Sequence, residues 1–333
     1  MKVAQLDKYN KNFKLKIRQV PIPKIKNEEV LVKVKAAAVN PLDNLIGTGS
    51  VKLIQNYSMP LNMGNELSGI VEMVGNKVSK FKNGDFVYTR LPLNRIGAFA
   101  EYVAVPSSAL AKLPKNLDFK SGAASALTGL TAYQGLKDIL KVKTGKTIFI
   151  NGGSGSFGQL AVPVANSMGL KVIVSGNPKL RENIMKLGAD EYISYKDQNY
   201  WEILQNIDYV IDTIGKKEFE KELSIIKSGG KLLSLKSGPN KSFAINNNMG
   251  VIKTQLFKLA GLKLDKQAKE KNVEYHFIFV KSSGSQLEQI TKIIEKNNIQ
   301  PEICSTEMNI DDINEALKKV KTGNHRGKVV ITF

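Results

Sequence analysis

The chain has 333 residues, of which 42% are hydrophobic and 24% charged, and a formal net charge of +19. That length suits two domains better than one core, and the balance excludes a disordered or fibrous chain. A single cysteine, Cys304, excludes an internal disulfide and any multi-thiolate metal site.

The lysines alternate with acids along the chain and form no single basic arm. Even the densest basic stretch, Lys253 to Lys271, holds Asp265 and Glu270 at helical spacing. A solvated surface is therefore expected, with no nucleic-acid partner. Met1 to Asp7 lacks the apolar core of a signal peptide. No apolar run approaches the roughly 20 residues of a spanning helix. A cytosolic location without membrane attachment is expected.

The first third reads as β-rich. Val30, Val32 and Val34 alternate with Leu31, Lys33 and Lys35, the period of a half-buried strand. Ile70 to Val74 ends at the turn Gly75-Asn76-Lys77, and Phe86-Val87-Tyr88 follows a turn at Asn83-Gly84-Asp85. Ala98 to Val105 is another short strand, stopped by Pro106, and this spacing predicts a small barrel or sandwich.

Near Ser121 the pattern changes to strands alternating with helices. Strands are predicted at Thr147–Ile150, Lys171–Val174, Tyr209–Asp212, Lys231–Leu235 and Tyr275–Val280. Helices are predicted at Gln159–Met168, Lys179–Leu187 and Lys217–Ile226. Strands apolar on both faces imply a parallel sheet covered on both sides, a doubly wound α/β domain. The tail adds helices Gln286–Glu295 and Asp311–Val320 and a last strand, Lys328–Phe333. Because that strand follows the completed parallel sheet, it is expected to return to the first domain. The domains expected are 1–120, completed by 283–333, and 121–282.

Between the first parallel strand and its helix stands Asn151-Gly152-Gly153-Ser154-Gly155-Ser156-Phe157-Gly158, a G-x-G-x-x-G pattern at Gly153, Gly155 and Gly158. In that setting it reads as a dinucleotide loop. Gly153 is assigned the tight turn, Gly155 the close approach to a pyrophosphate, and Gly158 the packing of helix on strand. The helix N-terminus offers free N–H groups to the phosphates.

The choice of nicotinamide cofactor is made roughly 20 residues later, where an NAD site wants an acid. Here the segment is Ser175-Gly176-Asn177-Pro178-Lys179-Leu180-Arg181, with no carboxylate before Glu182. Ser175, Asn177, Lys179 and Arg181 can donate to a 2′-phosphate, so NADPH is the expected cofactor. Exposed helix residues are the alternative for Lys179 and Arg181. Tyr195 either stacks on adenine or is a surface aromatic.

At this point the chain resembles the zinc-free quinone oxidoreductase branch of the medium-chain dehydrogenase/reductase superfamily. The resemblance rests on Ala38-Val39-Asn40-Pro41-Leu42-Asp43, on Gly64 to Val71, on Val78 to Asp85 and on Gly97 to Tyr102. It continues through Leu127-Thr128-Gly129-Leu130-Thr131-Ala132-Tyr133, the glycine loop, and Gly327-Lys328-Val329-Val330. It implies a GroES-like β-rich catalytic domain, a Rossmann domain, a cofactor in the cleft between them, and a homodimer. The zinc-dependent members place a cysteine where this chain has Asn40 and a histidine where it has Asn65. Neutral amides are poor substitutes as zinc ligands, so no metal is expected.

The resemblance makes Asn40, Asp43 and Tyr57 the candidates for orienting an acceptor. Asp43 alternatively caps the short helix after Pro41, and Tyr57 alternatively packs under its loop. It implies contacts to cofactor from Thr128, Ile214 and Gly215, and from Arg326 with Lys328. It also makes Phe277 or Phe279, otherwise plain core candidates, a lining residue. The expected activity is transfer of hydride from NADPH to a quinone. The alternatives are an alkenal or enone double-bond reductase and a non-catalytic NADPH-binding regulator. Two Tyr-x-x-x-Lys matches, Tyr133…Lys137 and Tyr192…Lys196, stand at the wrong places relative to the glycine loop for a short-chain dehydrogenase.

Overall fold

The computed structural model describes residues 1–333 apart from Asn324. Two compact units divide the chain, Met1–Leu130 with Lys281–Phe333, and Thr131–Val280.

In the first unit the alternating valines form the strand Glu29–Ala38, the hub of the larger sheet. It pairs antiparallel with Glu66–Val74, with Tyr102–Pro106 and with the C-terminal strand Val330–Thr332. Phe86–Arg90 and Leu110–Lys112 extend the sheet beyond Glu66–Val74. A second sheet of three strands orders Lys16–Gln19, Lys2–Leu6 and Leu61–Asn62. The strand predicted over Ala98–Val105 begins only at Tyr102. The residues before it bond elsewhere, Ala98 N–H to Gly64 and Phe99 N–H to Met63.

The helix Phe119–Gln134 sets Ala123 and Ala124 on Ala36, Ala38 and Val330. Alanine on both faces lets helix and sheet approach closely. The first unit therefore runs on to Leu130 instead of stopping where the sequence pattern changes. Only that packing places the junction inside the helix.

In the second unit six strands pair in parallel, ordered Glu191–Ser194, Lys171–Gly176, Thr147–Asn151, Ile207–Asp212, Ile226–Ser234 and Glu274–Phe277. The order reverses at Thr147–Asn151, the strand that feeds the glycine loop, which is where α/β sheets bind ligands. Phe149, Val210, Phe219 and Leu232 lie in its core. The helix predicted over Lys179–Leu187 is split into a 3-10 turn, Pro178–Leu180, and a helix, Arg181–Lys186. The last strand stops at Phe277, three residues short of Val280. Among the described residues no helix is long and apolar enough to cross a membrane.

Candidate active site

The chain leaves the strand Glu29–Ala38 through Val39 and Asn40 into the helix Pro41–Gly47. Pro41 suits the first helical position, where a missing N–H costs nothing. Asp43 accepts the Asn40 backbone N–H at 2.7 Å, so it does close the helix start. Its other oxygen accepts from Asn65 Nδ2 at 2.8 Å, and the carboxyl is fully buried. Burial, opposed by these two hydrogen bonds, raises Asp43 to a pKa of about 7.

Beside it lies a buried ion pair. Lys328 Nζ donates to Asn40 Oδ1 at 2.6 Å and to Thr128 Oγ1 at 3.2 Å, and stands 3.0 Å from Glu66 Oε1. Asn40 Nδ2 donates to the same Glu66 oxygen at 2.9 Å, and the Leu127 N–H donates to the second at 2.5 Å. Glu66 is entirely buried, and every bond it makes is to a residue distant in sequence. Lys328 and Arg326, expected to act together, part here. Arg326 is mostly exposed and paired with Glu302; it lies in the bend before Gly327, whose left-handed backbone (φ 75°) separates its direction from that of Lys328.

Among the described residues three polar groups around this cluster lack partners. Tyr57 is 7% exposed, and its hydroxyl has no hydrogen bond. Arg90 is 0% exposed; Nη1 donates to the Leu91 carbonyl, whereas Nε and Nη2 bond nothing. Asn65 Oδ1 is the third.

In the second unit the glycine loop joins Thr147–Asn151 to the helix Ser156–Ser167. The residue with left-handed backbone is Gly152, φ 71°, so the tight turn belongs to Gly152 and not to Gly153. A Cβ on Gly158 would lie 1.6 Å from the Gly153 carbonyl oxygen, which explains the glycine there. A Cβ on Gly155 would meet nothing within 4 Å, so its backbone faces open space. The first-turn N–H groups of the following helix have no intrahelical acceptors. An open glycine backbone at such a helix start fits a dinucleotide diphosphate. Ser154, Ser156 and Phe157 complete the loop, and Ser154 Oγ accepts the Asn177 N–H at 3.1 Å.

Ser175 is buried, and its hydroxyl donates to Asn151 Oδ1 at 2.7 Å. Its one proton is therefore spent inside the fold. Gly176 leaves room for Ser154, whose Oγ would be 2.5 Å from an added Cβ. Asn177 Oδ1 accepts the Lys179 N–H at 3.1 Å, and Tyr192 holds the Asn177 carbonyl at 2.6 Å. Lys179 and Arg181 project from this clamped turn as exposed side chains. Neither forms an ion pair among the described residues.

Ile214 is 47% exposed, and its N–H and that of Gly215 both donate to Asp212 at 2.7 Å. Phe277 packs edge-on against Phe243, 5.3 Å between centroids, and Phe279 is half-buried. Tyr195 is 58% exposed, beside Lys196, Asn199 and Ile203 in a shallow surface recess. Tyr133 and Lys137 do meet, hydroxyl to amine at 3.0 Å, one helical turn apart.

Beneath the loop Asn151 Nδ2 donates to Glu222 Oε1 at 2.7 Å. Glu222 is buried next to Asp212, and burial first, then that neighbour, raises its pKa well above the usual carboxylate range. A carboxyl raised on folding binds more protons folded than unfolded, so stability falls as pH climbs above its ordinary value. Glu222→Gln, whose amide reproduces the neutral acid, is expected to gain about 1–2 kcal/mol at neutral pH and nothing in acid. Thermal melts of both proteins between about pH 5 and 8 read this directly; parallel curves would mean that Glu222 carries no such cost.

Residues 26–115 match the alcohol dehydrogenase GroES-like domain, and residues 187–331 match the zinc-binding dehydrogenase domain. Human quinone oxidoreductase is 31% identical over 271 residues, covering 78% of this chain and 79% of that protein. The chain belongs to the medium-chain dehydrogenase/reductase superfamily. A second relative, the human mitochondrial NAD(P)H oxidoreductase RTN4IP1, is 31% identical over 356 residues, 98% of this chain and 87% of that one. The solved quinone oxidoreductase of Coxiella burnetii superposes with a TM-score of 0.80 at 25% identity, over 100% of this chain and 99% of that one.

The superfamily resemblance drawn from the sequence therefore holds, as does the pairing of a GroES-like unit with a Rossmann unit. The protein is an NAD(P)H-dependent oxidoreductase. Among the described residues no three His, Cys, Asp or Glu side chains converge on a metal-sized site. Asn40 and Asn65 instead spend their amides on Glu66 and Asp43. Sequence reasoning passed over Glu66 and Arg90. Glu66 lies inside the Gly64–Val71 block, but Arg90 stands beyond the predicted strand Phe86-Val87-Tyr88 and carries no signal in the sequence.

Proposed function

We propose that this oxidoreductase is a zinc-independent, NADPH-dependent reductase that passes hydride to a quinone. The observation that carries the reading is the use made of Asn40, Asn65 and Glu66. In this superfamily's zinc members the first two positions are ligands. Here they are hydrogen-bonded amides, and the positive charge beside Glu66 is the Lys328 ammonium. Without a Lewis acid an alcohol's proton is hard to remove, whereas a quinone accepts electrons into a system already polarised.

Reduced nicotinamide, when bound, supplies the hydride. The protein's own residues do the rest. The Gly152–Gly158 loop and the helix after it hold the diphosphate, while Asn177, Lys179 and Arg181 face the 2′-phosphate. In the first unit Thr128 is fixed by Lys328, and in the second Ile214 and Gly215 are fixed by Asp212, so each offers the cofactor a rigid contact. Tyr57 offers its free hydroxyl to the acceptor.

The test is NADPH consumption with a panel of quinones, enones and simple alcohols, in the presence of a strong chelator. Quinones are expected to turn over at an unchanged rate, and simple alcohols with NADP are expected not to react. Enones as the best substrates would move the reading to a double-bond reductase; chelator-sensitive alcohol oxidation would end it. In the same assay Lys179→Ala with Arg181→Ala should raise KM for NADPH tenfold or more, about 1.4 kcal/mol, and leave that for NADH nearly unchanged. Equal effects on both cofactors would remove these residues from phosphate recognition.

A further inference from the structure

Arg90 ends the strand Phe86–Arg90, directly opposite Glu66 in the antiparallel register. Two acids lie near, and both are taken. Glu66 is bonded to Lys328, Asn40 and Leu127, and Asp43 to Asn40 and Asn65. The guanidinium thus enters the interior carrying a full charge with two nitrogens unbonded. Burial lowers its pKa only to about 10, so it stays charged at neutral pH. Leaving a buried charged donor unpaired is among the costlier faults a fold can carry. The hydroxyl of Tyr57, which feels the Arg90 charge, is also unbonded. Burial pushes that phenol up to about 12, so it remains a neutral donor. A cation and a hydroxyl, both lacking acceptors, call for the same thing: an oxygen that bears negative charge.

We propose that Arg90 and Tyr57 form an oxyanion site that receives the carbonyl oxygen of the acceptor and binds its reduced, anionic form most tightly. This deepens the reductase reading and rests on it for the identity of the anion. A quinone that takes hydride from NADPH, leaving NADP⁺, moves a carbonyl electron pair onto oxygen. That oxygen becomes the hydroquinone anion, and a proton from water then completes the product. Donors aimed at charge that develops only during the reaction favour the transition state over the substrate. The planar guanidinium also disfavours acceptors without a conjugated oxygen, since nothing else nearby satisfies it.

The experiment uses 4-nitrophenol, whose phenolate is coloured, titrated with the full-length protein in the presence of NADP⁺. The visible band reports whether the probe binds as the anion, and no turnover is required. Wild type is expected to bind the phenolate in preference to the neutral phenol. Arg90→Gln should weaken phenolate binding tenfold or more, and Arg90→Lys should fall between, keeping the charge but losing the fork. Tyr57→Phe should weaken it severalfold. NADP⁺ affinity and the melting temperature of each variant separate this from misfolding. If Arg90→Gln does not fold, Tyr57→Phe, which removes one oxygen, carries the test. Binding of the neutral phenol, or equal phenolate binding in the folded variants, would overturn the site. Phenolate binding that persists while quinones fail as substrates would sink the quinone reading and leave the oxyanion site standing.

Discussion

Lys328→Met is expected to destabilise the protein by about 3–5 kcal/mol, because it strips a buried carboxylate of its cation. For a unit of this size that is a fall in melting temperature on the order of 10 °C. Glu66 would keep its bonds from Asn40 and Leu127 but lose the Lys328 ammonium, 3.0 Å from Oε1. The informative variant is the double one. Glu66→Gln on top of Lys328→Met removes the stranded charge, and Asn40 can turn its carbonyl, now without Lys328, toward the new amide. Most of the lost stability should return, so that the two substitutions couple strongly. A double variant as unstable as the sum of the singles would show that Lys328 matters for packing and not for charge.

Gly158→Ala is expected to have the second large effect. Its Cβ would sit 1.6 Å from the Gly153 carbonyl oxygen, an atom of the backbone that cannot swing aside. The loop or the helix must shift, at about 3 kcal/mol or more, and dinucleotide binding should be lost with it. Gly155→Ala is the matched control. Nothing lies within 4 Å of that Cβ, and the backbone there, φ −82° and ψ −171°, is open to any residue. Stability should stay within about 1 kcal/mol of wild type. NADPH affinity should nonetheless drop about tenfold, since the methyl stands where the ligand comes close. Calorimetric melts and NADPH fluorescence titrations measure both. Unchanged affinity in a folded Gly155→Ala protein would place the phosphates elsewhere.

The contrast between these two glycines shows how sequence and structure divide the work. The G-x-G-x-x-G spacing, a buried strand before it and a helix after it, is local information, and so the glycine loop at the strand-to-helix turn was legible from the chain. So were the alternating valines of Glu29–Ala38, the parallel strands and the ordered blocks that carry the superfamily resemblance. The amides at positions 40 and 65 were legible too, because a ligand residue is either present or it is not.

What the sequence could not supply was partnership across distance. Lys328 and Asn40 are 288 residues apart and meet because the C-terminal strand returns to pair with Ala36–Ala38. No pattern in either segment announces that bond, and Lys328 was therefore grouped with its neighbour Arg326. Gly152 rather than Gly153 takes the left-handed turn because the chain turns directly after Asn151, the last residue of the strand. Ser175, a plausible phosphate donor by position, gives its proton to Asn151 once the adjacent parallel strands bring them together. Burial is the extreme case. Arginine is among the residue types least expected inside, and Arg90 is drawn there by its strand register, opposite Glu66. Composition, periodicity and motif spacing determined the fold class and the glycine loop, because they act within a few residues. The charges that meet in the interior were decided by tertiary structure, because solvation and pairing exist only once distant segments have packed.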